Sequence, residues 1–110
     1  MEKKNRIALL DGKKIRLIEN SGERFFSIID IIHFLTDSTA PRKYWYRLKK
    51  RESVLLSVCR QLKMIAIDGR ERLTDVADRS GVFRIMMYVP SPKGESLARW
   101  LANELEQIPI

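Results

Sequence analysis

Two Asp-Gly pairs, Asp11-Gly12 and Asp68-Gly69, limit what this chain of 110 residues can fold into. An Asp-Gly pair between apolar stretches is a strong local signal for a β-hairpin, because a type I′ turn needs positive φ at both central residues. Residues 7–10 and 14–18 flank the first pair, and residues 60–76 contain the second. The sequence therefore predicts two antiparallel hairpins, and part of the fold must be a sheet.

The second hairpin also carries a prediction about its two faces. A two-residue loop pairs Ile67 with Arg70, Ile65 with Arg72 and Met64 with Leu73. In this register Leu62, Met64 and Leu73 share the core face, and the opposite face carries Lys63, Arg70 and Arg72 beside Ile65 and Ile67. This opposite face is either a half-solvated side of the sheet or a basic β-ribbon that enters a nucleic-acid groove.

Four segments carry helix signals. The predicted starts are the capping box formed by Ser27 and Asp30, Pro41 as the first residue of a helix over 41–51, Ser80 before a helix that Pro90 ends, and Ser91-Pro92 before a helix that runs to about Glu106. Two hairpins and about four helices predict an α+β fold, with short hairpins packed against the helices. The chain is near the commonest domain size, so residues 1–110 are predicted to form a single domain.

The predicted helix 41–51 carries most of the excess positive charge. The chain has 21 Lys and Arg against 14 Asp and Glu, a formal net charge of +7. Residues 42–51 hold six cations and no acid: Arg42, Lys43, Arg47, Lys49, Lys50 and Arg51. Such a cluster is either a solvated helix face or the electrostatic footprint of a binding surface.

Helical geometry separates the apolar residues of this segment from its cations. At about 100° per residue, one arc holds Pro41, Tyr44, Trp45 and Leu48, and every basic residue lies outside it. Tyr46 also lies outside the apolar arc, among the cations. An exposed aromatic side chain within a dense cationic face suits a surface that meets phosphates and sugars.

The sequence offers no convincing catalytic or metal-binding set. There is one cysteine, Cys59, predicted to be a small buried hydrophobe, and one histidine, His33, predicted to be partly buried and hydrogen-bonded. Asp75 and Asp78 are predicted to cap or to pair with Arg79 and Arg84 rather than to hold a metal. No phosphate-binding glycine motif, signal peptide or transmembrane run is present. We therefore expect no enzymatic activity, no cofactor and a cytoplasmic location.

Several motifs together resemble one known family. They are FSIID (26–30), LTDS (35–38), PR (41–42), YWYRLK (44–49), CRQLK (59–63), DG (68–69), TDVA (74–77), GVFRI (81–85), PSPKxE (90–95) and WLA (100–102). Their order and spacing resemble the Bro-N domain of baculovirus Bro proteins and phage antirepressors, and the version in DNA-damage-inducible protein D is the most similar. Met87 and Tyr88 depart from the Gln-Ser pair expected there.

The resemblance implies a compact α+β domain that binds DNA and is often joined to variable C-terminal domains of gene regulators. Combined with the charge pattern, it predicts a non-enzymatic DNA-binding domain of a phage, antirepressor or damage-inducible regulator. The predicted duplex-DNA contacts are the six cations of 42–51, Tyr46, and a second set from the hairpin, Lys63, Arg70 and Arg72. One alternative is a protein-interaction module that binds a repressor or another acidic protein. A metal-dependent nuclease that uses Asp75 and Asp78 is a further alternative.

Overall fold

The structure is a computed structural model that describes residues 3–66 and 68–106, with side chains to residue 103. Five antiparallel strands form one sheet in the order β1-β2-β3-β5-β4. The strands are β1 (Lys3–Leu10), β2 (Lys13–Asn20), β3 (Glu23–Ser27), β4 (Arg60–Ile65) and β5 (Glu71–Ala77). Asp11 and Gly12 both have positive φ, 49° and 81°, so the first predicted hairpin and its tight turn are confirmed.

The described chain also contains four α-helices and one 3-10 helix. They are α1 (Ile28–Thr36), α2 (Pro41–Arg51), the 3-10 helix (Ser53–Val58), α3 (Arg79–Met86) and α4 (Gly94–Glu106). The α+β prediction is confirmed, and α2 has the predicted bounds. Ser27 caps α1 as predicted, because its hydroxyl oxygen accepts the N–H of Asp30 at 3.4 Å. The Asp30 carboxylate instead accepts from Arg16.

The main core joins the helices to the sheet. Trp45 and Leu48 of α2 are 2% and 1% exposed, and Leu97 and Leu101 of α4 are equally buried. Trp100 is partly buried against this core. Its indole N–H donates to the Leu9 carbonyl at 3.0 Å, and its ring meets Phe26 edge-on at 5.7 Å. The place of Trp45 in the predicted apolar arc is therefore confirmed by its burial, and Trp100 is buried in part.

A second, smaller core lies on the other face of the sheet. It consists of Ile18, Phe25, Met64 and Val76, one residue from each of four strands. Their chain neighbours Leu17, Phe26 and Ala77 belong to the main core, as the two-residue period of a strand requires. The edges of the sheet approach one another, since the Ile65 N–H donates to the Asn5 side chain at 3.3 Å. The sheet therefore curls around this second core.

The register of the β4–β5 hairpin differs from the prediction by one residue. Met64 pairs with Arg72 and Lys63 with Leu73, and the Ala66 N–H donates to the Arg70 carbonyl at 2.8 Å. The loop therefore has three residues, 67–69; Ile67 lies outside the described residues. Gly69 has φ +83°, and Asp68 is not among the residues with positive φ. A type I turn followed by one left-handed glycine fits Asp-Gly as well as the predicted type I′ turn does.

In the observed register, different side chains of the β4–β5 hairpin share a face than in the predicted one. Leu73 is 62% exposed, so its predicted place in the core is wrong. Its position in the core is taken by Thr74, 9% exposed, which pairs with Leu62. Lys63 lies on the face opposite to Arg70 and Arg72. The predicted single basic face of the hairpin therefore does not form.

Two helix starts also need correction. The carboxylate of Asp78, not the hydroxyl of Ser80, caps α3 by accepting the Gly81 N–H at 2.8 Å. The last helix begins at Gly94 and not at Pro92, because Ser91 makes a turn in which its hydroxyl accepts the Lys93 N–H at 3.0 Å. The same hydroxyl donates to the Leu35 carbonyl at 2.6 Å and so joins this turn to α1. Residues 107–110 lie outside the described residues.

Candidate nucleic-acid interface

The first turn of helix α2 carries charges that oppose the helix dipole, whereas its last turn carries three basic residues that favour it. Its N-cap residue, Ala40, makes no side-chain hydrogen bond, and Arg42 and Lys43 lie in the first turn, which has no acid. Cations at a helix N-terminus oppose the helix dipole. Pro41 at the first position, the burial of Trp45 and Leu48 and the basic last turn therefore stabilise the helix against the two cations of its first turn. The placement of these cations lowers helix stability, so helix formation alone does not explain it.

The exposed side of α2, which we call the cationic arc, carries two rows of side chains. One row is Arg42, Tyr46 and Lys50, and the other is Lys43, Arg47 and Arg51, each spaced by four residues. All six are exposed. Like charges at this spacing repel by about 0.2–0.5 kcal/mol per pair. Among the described side chains, the arc has one acidic contact, from Arg51 Nε to Glu52 Oε2 at 3.7 Å.

Lys49 does not belong to the cationic arc. Its ammonium lies 2.8 Å from Asp75 Oδ2 on β5, and its side chain is only 18% exposed. The ammonium also lies 4.6 Å from the ring centroid of Tyr46. Sequence reasoning grouped Lys49 with the other cations, but the helical geometry held a signal, since Lys49 lies only about 40° from Trp45 around the helix axis.

Asp75 is the acceptor on which the contact between α2 and β5 is centred. Its carboxylate accepts from Trp45 Nε1 at 2.7 Å, from Lys49 Nζ at 2.8 Å and from Gln61 Nε2 at 3.1 Å. Burial raises the pKa of Asp75, but these hydrogen bonds outweigh it and hold that pKa below its ordinary value. The predicted pairing with Arg79 or Arg84 is replaced by these three partners. Among the described residues, no group of acids, histidine and cysteine has the arrangement of a metal site.

The three hairpin cations lie in two different settings. Lys63 and Arg70 are exposed and, within residues 3–66 and 68–103, make no ion pair shorter than 4.0 Å. Arg72 is held by Asp68, with Nη2 to Oδ2 at 2.5 Å, which lowers the pKa of Asp68. Arg72 also lines a groove of about 590 Å³ together with Arg42. The structure thus brings Arg72 near Arg42 of α2, whereas Lys63 lies on the opposite face of the ribbon from Arg72, beside Leu73.

Two residues of the hairpin that sequence reasoning missed line a cavity against α2. Gln61 and Leu73 line a cavity of about 110 Å³ together with Arg42, Tyr46 and Asp75. Tyr46 is 55% exposed there, as its place outside the apolar arc predicts. The three-residue loop places Gln61 and Leu73 on one face of the ribbon, whereas the predicted two-residue loop separates them. The signal was therefore present in the sequence but depended on the register.

The two single-copy residues of the chain give no sign of catalysis. His33 is exposed rather than partly buried, although its predicted hydrogen bond is present, from Nδ1 to the Ser38 carbonyl at 2.9 Å. Cys59 is half-buried, and burial, with a contribution from the Asp75 charge, raises the pKa of its thiol to about 11. A thiol with such a pKa is a poor nucleophile at neutral pH.

Comparison with known proteins places the chain in a family. The family model described as "BRO family, N-terminal domain" matches residues 14–107, and the chain belongs to this family. It is a family of DNA-binding and regulatory domains rather than of enzymes. No curated protein and no solved structure matches the chain. Within residues 3–66 and 68–106, no helix has both the length and the apolar composition that crossing a bilayer requires.

Proposed function

We propose that this domain binds duplex DNA through the cationic arc of α2 and that it performs no catalysis. The observation that carries the proposal is the arc itself. Five exposed cations share one side of a helix, and they include two in the first turn that oppose the helix dipole. These charges repel one another, and two of them also weaken the helix. A bound polyanion would offset this repulsion, which gives the arrangement an explanation.

The charge count predicts how strongly the binding depends on salt. Each phosphate neutralised on duplex DNA contributes about −0.9 to the slope of log K against log salt concentration. If each of the five arc cations meets one phosphate, the slope is about −4.5, and affinity falls about 500-fold between 50 and 200 mM salt. Lys49 is not counted, because its ammonium already contacts Asp75.

The proposal extends to a regulatory role of the phage antirepressor or damage-inducible kind. One observation supports it: membership of the BRO family. In this role the domain supplies affinity for DNA, and other parts of a regulator decide the response. Arg and Lys serve both phosphate positioning and base reading, so the arc by itself predicts affinity rather than a target sequence.

The test is a salt titration in which fluorescence anisotropy measures binding to a labelled random-sequence duplex and to the matching single strand. We expect tighter binding to the duplex than to the single strand. In Lys50→Ala the slope of log K against log salt concentration should be shallower by about 0.9. Arg84→Ala, which removes an exposed cation from α3, is the matched control and keeps the full slope. A folded wild-type domain that does not bind at low salt contradicts the proposal.

The alternative, an acidic protein partner on the same face, predicts a different result. A cationic surface attracts an acidic protein by the same electrostatics. Under this alternative, Lys50→Ala lowers affinity for the acidic protein, and duplex DNA neither binds nor competes. Competition between duplex DNA and an acidic model protein therefore separates the two functions.

A further inference from the structure

Beyond the phosphate contacts, and resting on the proposed DNA binding, we infer that the β4–β5 ribbon reads an A·T base pair in the major groove. Gln61 would pair with the adenine, and Leu73 would contact the thymine methyl group. The inference starts from the observed register, which brings these two side chains to the same face of the ribbon as Lys63.

The ribbon face has the shape and exposure that base reading requires. Gln61 pairs with Asp75 and Lys63 pairs with Leu73, so all four side chains project to one side. Gln61 and Lys63 are exposed, and Leu73 is 62% exposed. A two-stranded ribbon fits the major groove of B-DNA, which is about 12 Å wide. Lys63 is the cation that this face offers to a phosphate at the rim of the groove.

The amide of Gln61 is oriented by Asp75. An ionised carboxylate only accepts hydrogen bonds, so the Gln61 group that faces Asp75 Oδ1 at 3.1 Å is the amide nitrogen, Nε2. The side-chain carbonyl oxygen of Gln61 and its second amide hydrogen have no hydrogen-bond partner among the described residues. One acceptor beside one donor is the combination that adenine N6 and N7 take from a glutamine or asparagine.

The exposed apolar surface next to Gln61 selects for the thymine side of the pair. Leu73 and Tyr46 line the same cavity as Gln61, at the junction of α2 and the ribbon. Its volume is about 110 Å³, and drug-sized ligands occupy pockets of about 300–1,000 Å³. The cavity therefore suits the edge of a base rather than a free small molecule. Apolar contact with the C5-methyl group is how proteins distinguish thymine in the major groove.

Lys49 neutralises the acid that lies beside Gln61, whereas Glu71, which the register places on the same face of the ribbon next to Leu73, is an exposed acid. The Asp75 carboxylate, which orients Gln61, would by itself repel the phosphate backbone. The Lys49 ammonium at 2.8 Å neutralises it without leaving the α2–β5 contact. Asp75 and Lys49 are thus positioning residues, and Gln61 and Leu73 are the groups that meet the bases.

The experiment begins with selection of binding sequences from a randomised duplex pool by the wild-type domain. Chemically altered versions of the selected duplex then test each contact. Replacing adenine by 7-deazaadenine removes the N7 acceptor, and replacing thymine by uracil removes the methyl group. We expect losses of about 5- to 150-fold for the first change and about fourfold for the second.

Two variants connect each loss to its residue. Gln61→Ala is expected to bind the 7-deazaadenine and unaltered duplexes equally, and Leu73→Ala the uracil and thymine duplexes equally. The matched controls are Asn103→Ala, an exposed amide on α4, and Met87→Ala, an apolar side chain that is 76% exposed; both keep the wild-type losses. Circular dichroism verifies that every variant is folded.

The outcomes distinguish this inference from the proposed function. If the domain binds duplex DNA with a steep salt slope but selects no A·T pair, the base-reading inference is wrong and the phosphate contacts stand. The same holds if Gln61→Ala keeps the sensitivity to 7-deazaadenine. If single strands are preferred, the duplex specificity of the proposed function is wrong as well. If no DNA is bound at low salt, the proposed function fails and this inference fails with it.

Discussion

Lys49 on α2 donates a hydrogen bond to Asp75 on β5 over 2.8 Å, and both side chains are more than four-fifths buried. Lys49 therefore contributes to the structure of the domain, whereas its neighbour Lys50 extends from the cationic arc into solvent. Adjacent lysines in the sequence thus have separable roles. The same contact also holds the base of the ribbon against the helix from which the proposed DNA contacts extend.

The first prediction is that Lys49→Ala lowers the stability of the domain, whereas Lys50→Ala lowers its affinity for DNA. Removing Lys49 leaves Asp75 with two neutral donors, and we expect the free energy of unfolding to fall by about 1–2 kcal/mol. Lys50→Ala is expected to change it by less than about 0.5 kcal/mol while lowering DNA affinity. Urea unfolding measures the first quantity and anisotropy the second. Equal stability of the two variants would contradict the structural role of Lys49.

The second prediction concerns Asp37, which bridges two lysines. Its carboxylate accepts from Lys13, at the start of β2, and from Lys93 in the turn before α4. These two hydrogen bonds lower the pKa of Asp37 from 3.8 to about 2. A lowered pKa means that the bridges stabilise the fold above about pH 4 and that this contribution fades as the pH falls towards about 2.

An NMR titration of the Asp37 carboxyl carbon measures this pKa directly. In the double variant Lys13→Met, Lys93→Met we expect it to return towards 3.8. Because Asp37 is 57% exposed, 1 M salt should also raise the pKa by screening the two lysines. A carboxyl group that titrates near pH 4 in the wild-type domain at low salt would disprove the double bridge.

The sequence predicted most of the helices and left the ribbon uncertain for a physical reason. Helix α2 was predicted to the residue, because its start at Pro41 and its apolar arc agree. The register of β4 and β5 was predicted wrongly, because Asp68-Gly69 satisfies two loop lengths that differ by one residue. A one-residue shift exchanges the two faces of a strand. Leu73 was therefore predicted to lie in the core, whereas the observed register places it on the surface.

The candidate site was predictable where it depends on a single helix. The exposure of Tyr46 and of five cations follows from the helical period alone. The role of Lys49 depends on Asp75, 26 residues further along the chain, and nothing local indicates that contact. Gln61 was missed for a different reason: the predicted two-residue loop placed it on the face opposite to Leu73, whereas the observed register places both on one face.

The third prediction compares two glycines in helices. A Cβ atom on Gly81 of α3 would lie 3.0 Å from Ala77 Cβ and 3.1 Å from the Val58 carbonyl oxygen, and neither is at the end of a flexible side chain. Gly81→Ala is therefore expected to lose about 1–2 kcal/mol of stability to overpacking, despite the better helix propensity of alanine. At Gly94 the nearest atom is Met86 Cε at 3.9 Å. Gly94→Ala should be neutral or stabilising by a few tenths of a kcal/mol, and thermal unfolding of both variants measures the difference.

The fourth prediction is that Cys59 reacts slowly with alkylating reagents in the folded domain. Burial, assisted by the charge of Asp75, raises the pKa of its thiol to about 11. At pH 8 the thiolate fraction is then about 0.1%, against about a quarter for a free cysteine, so alkylation should be roughly 200-fold slower. The rate should return to that of a free thiol in urea, and it should rise in Asp75→Asn, which removes one of the two causes. A folded-state rate within a few fold of the rate in urea would show that the α2–β5 contact does not shield this thiol.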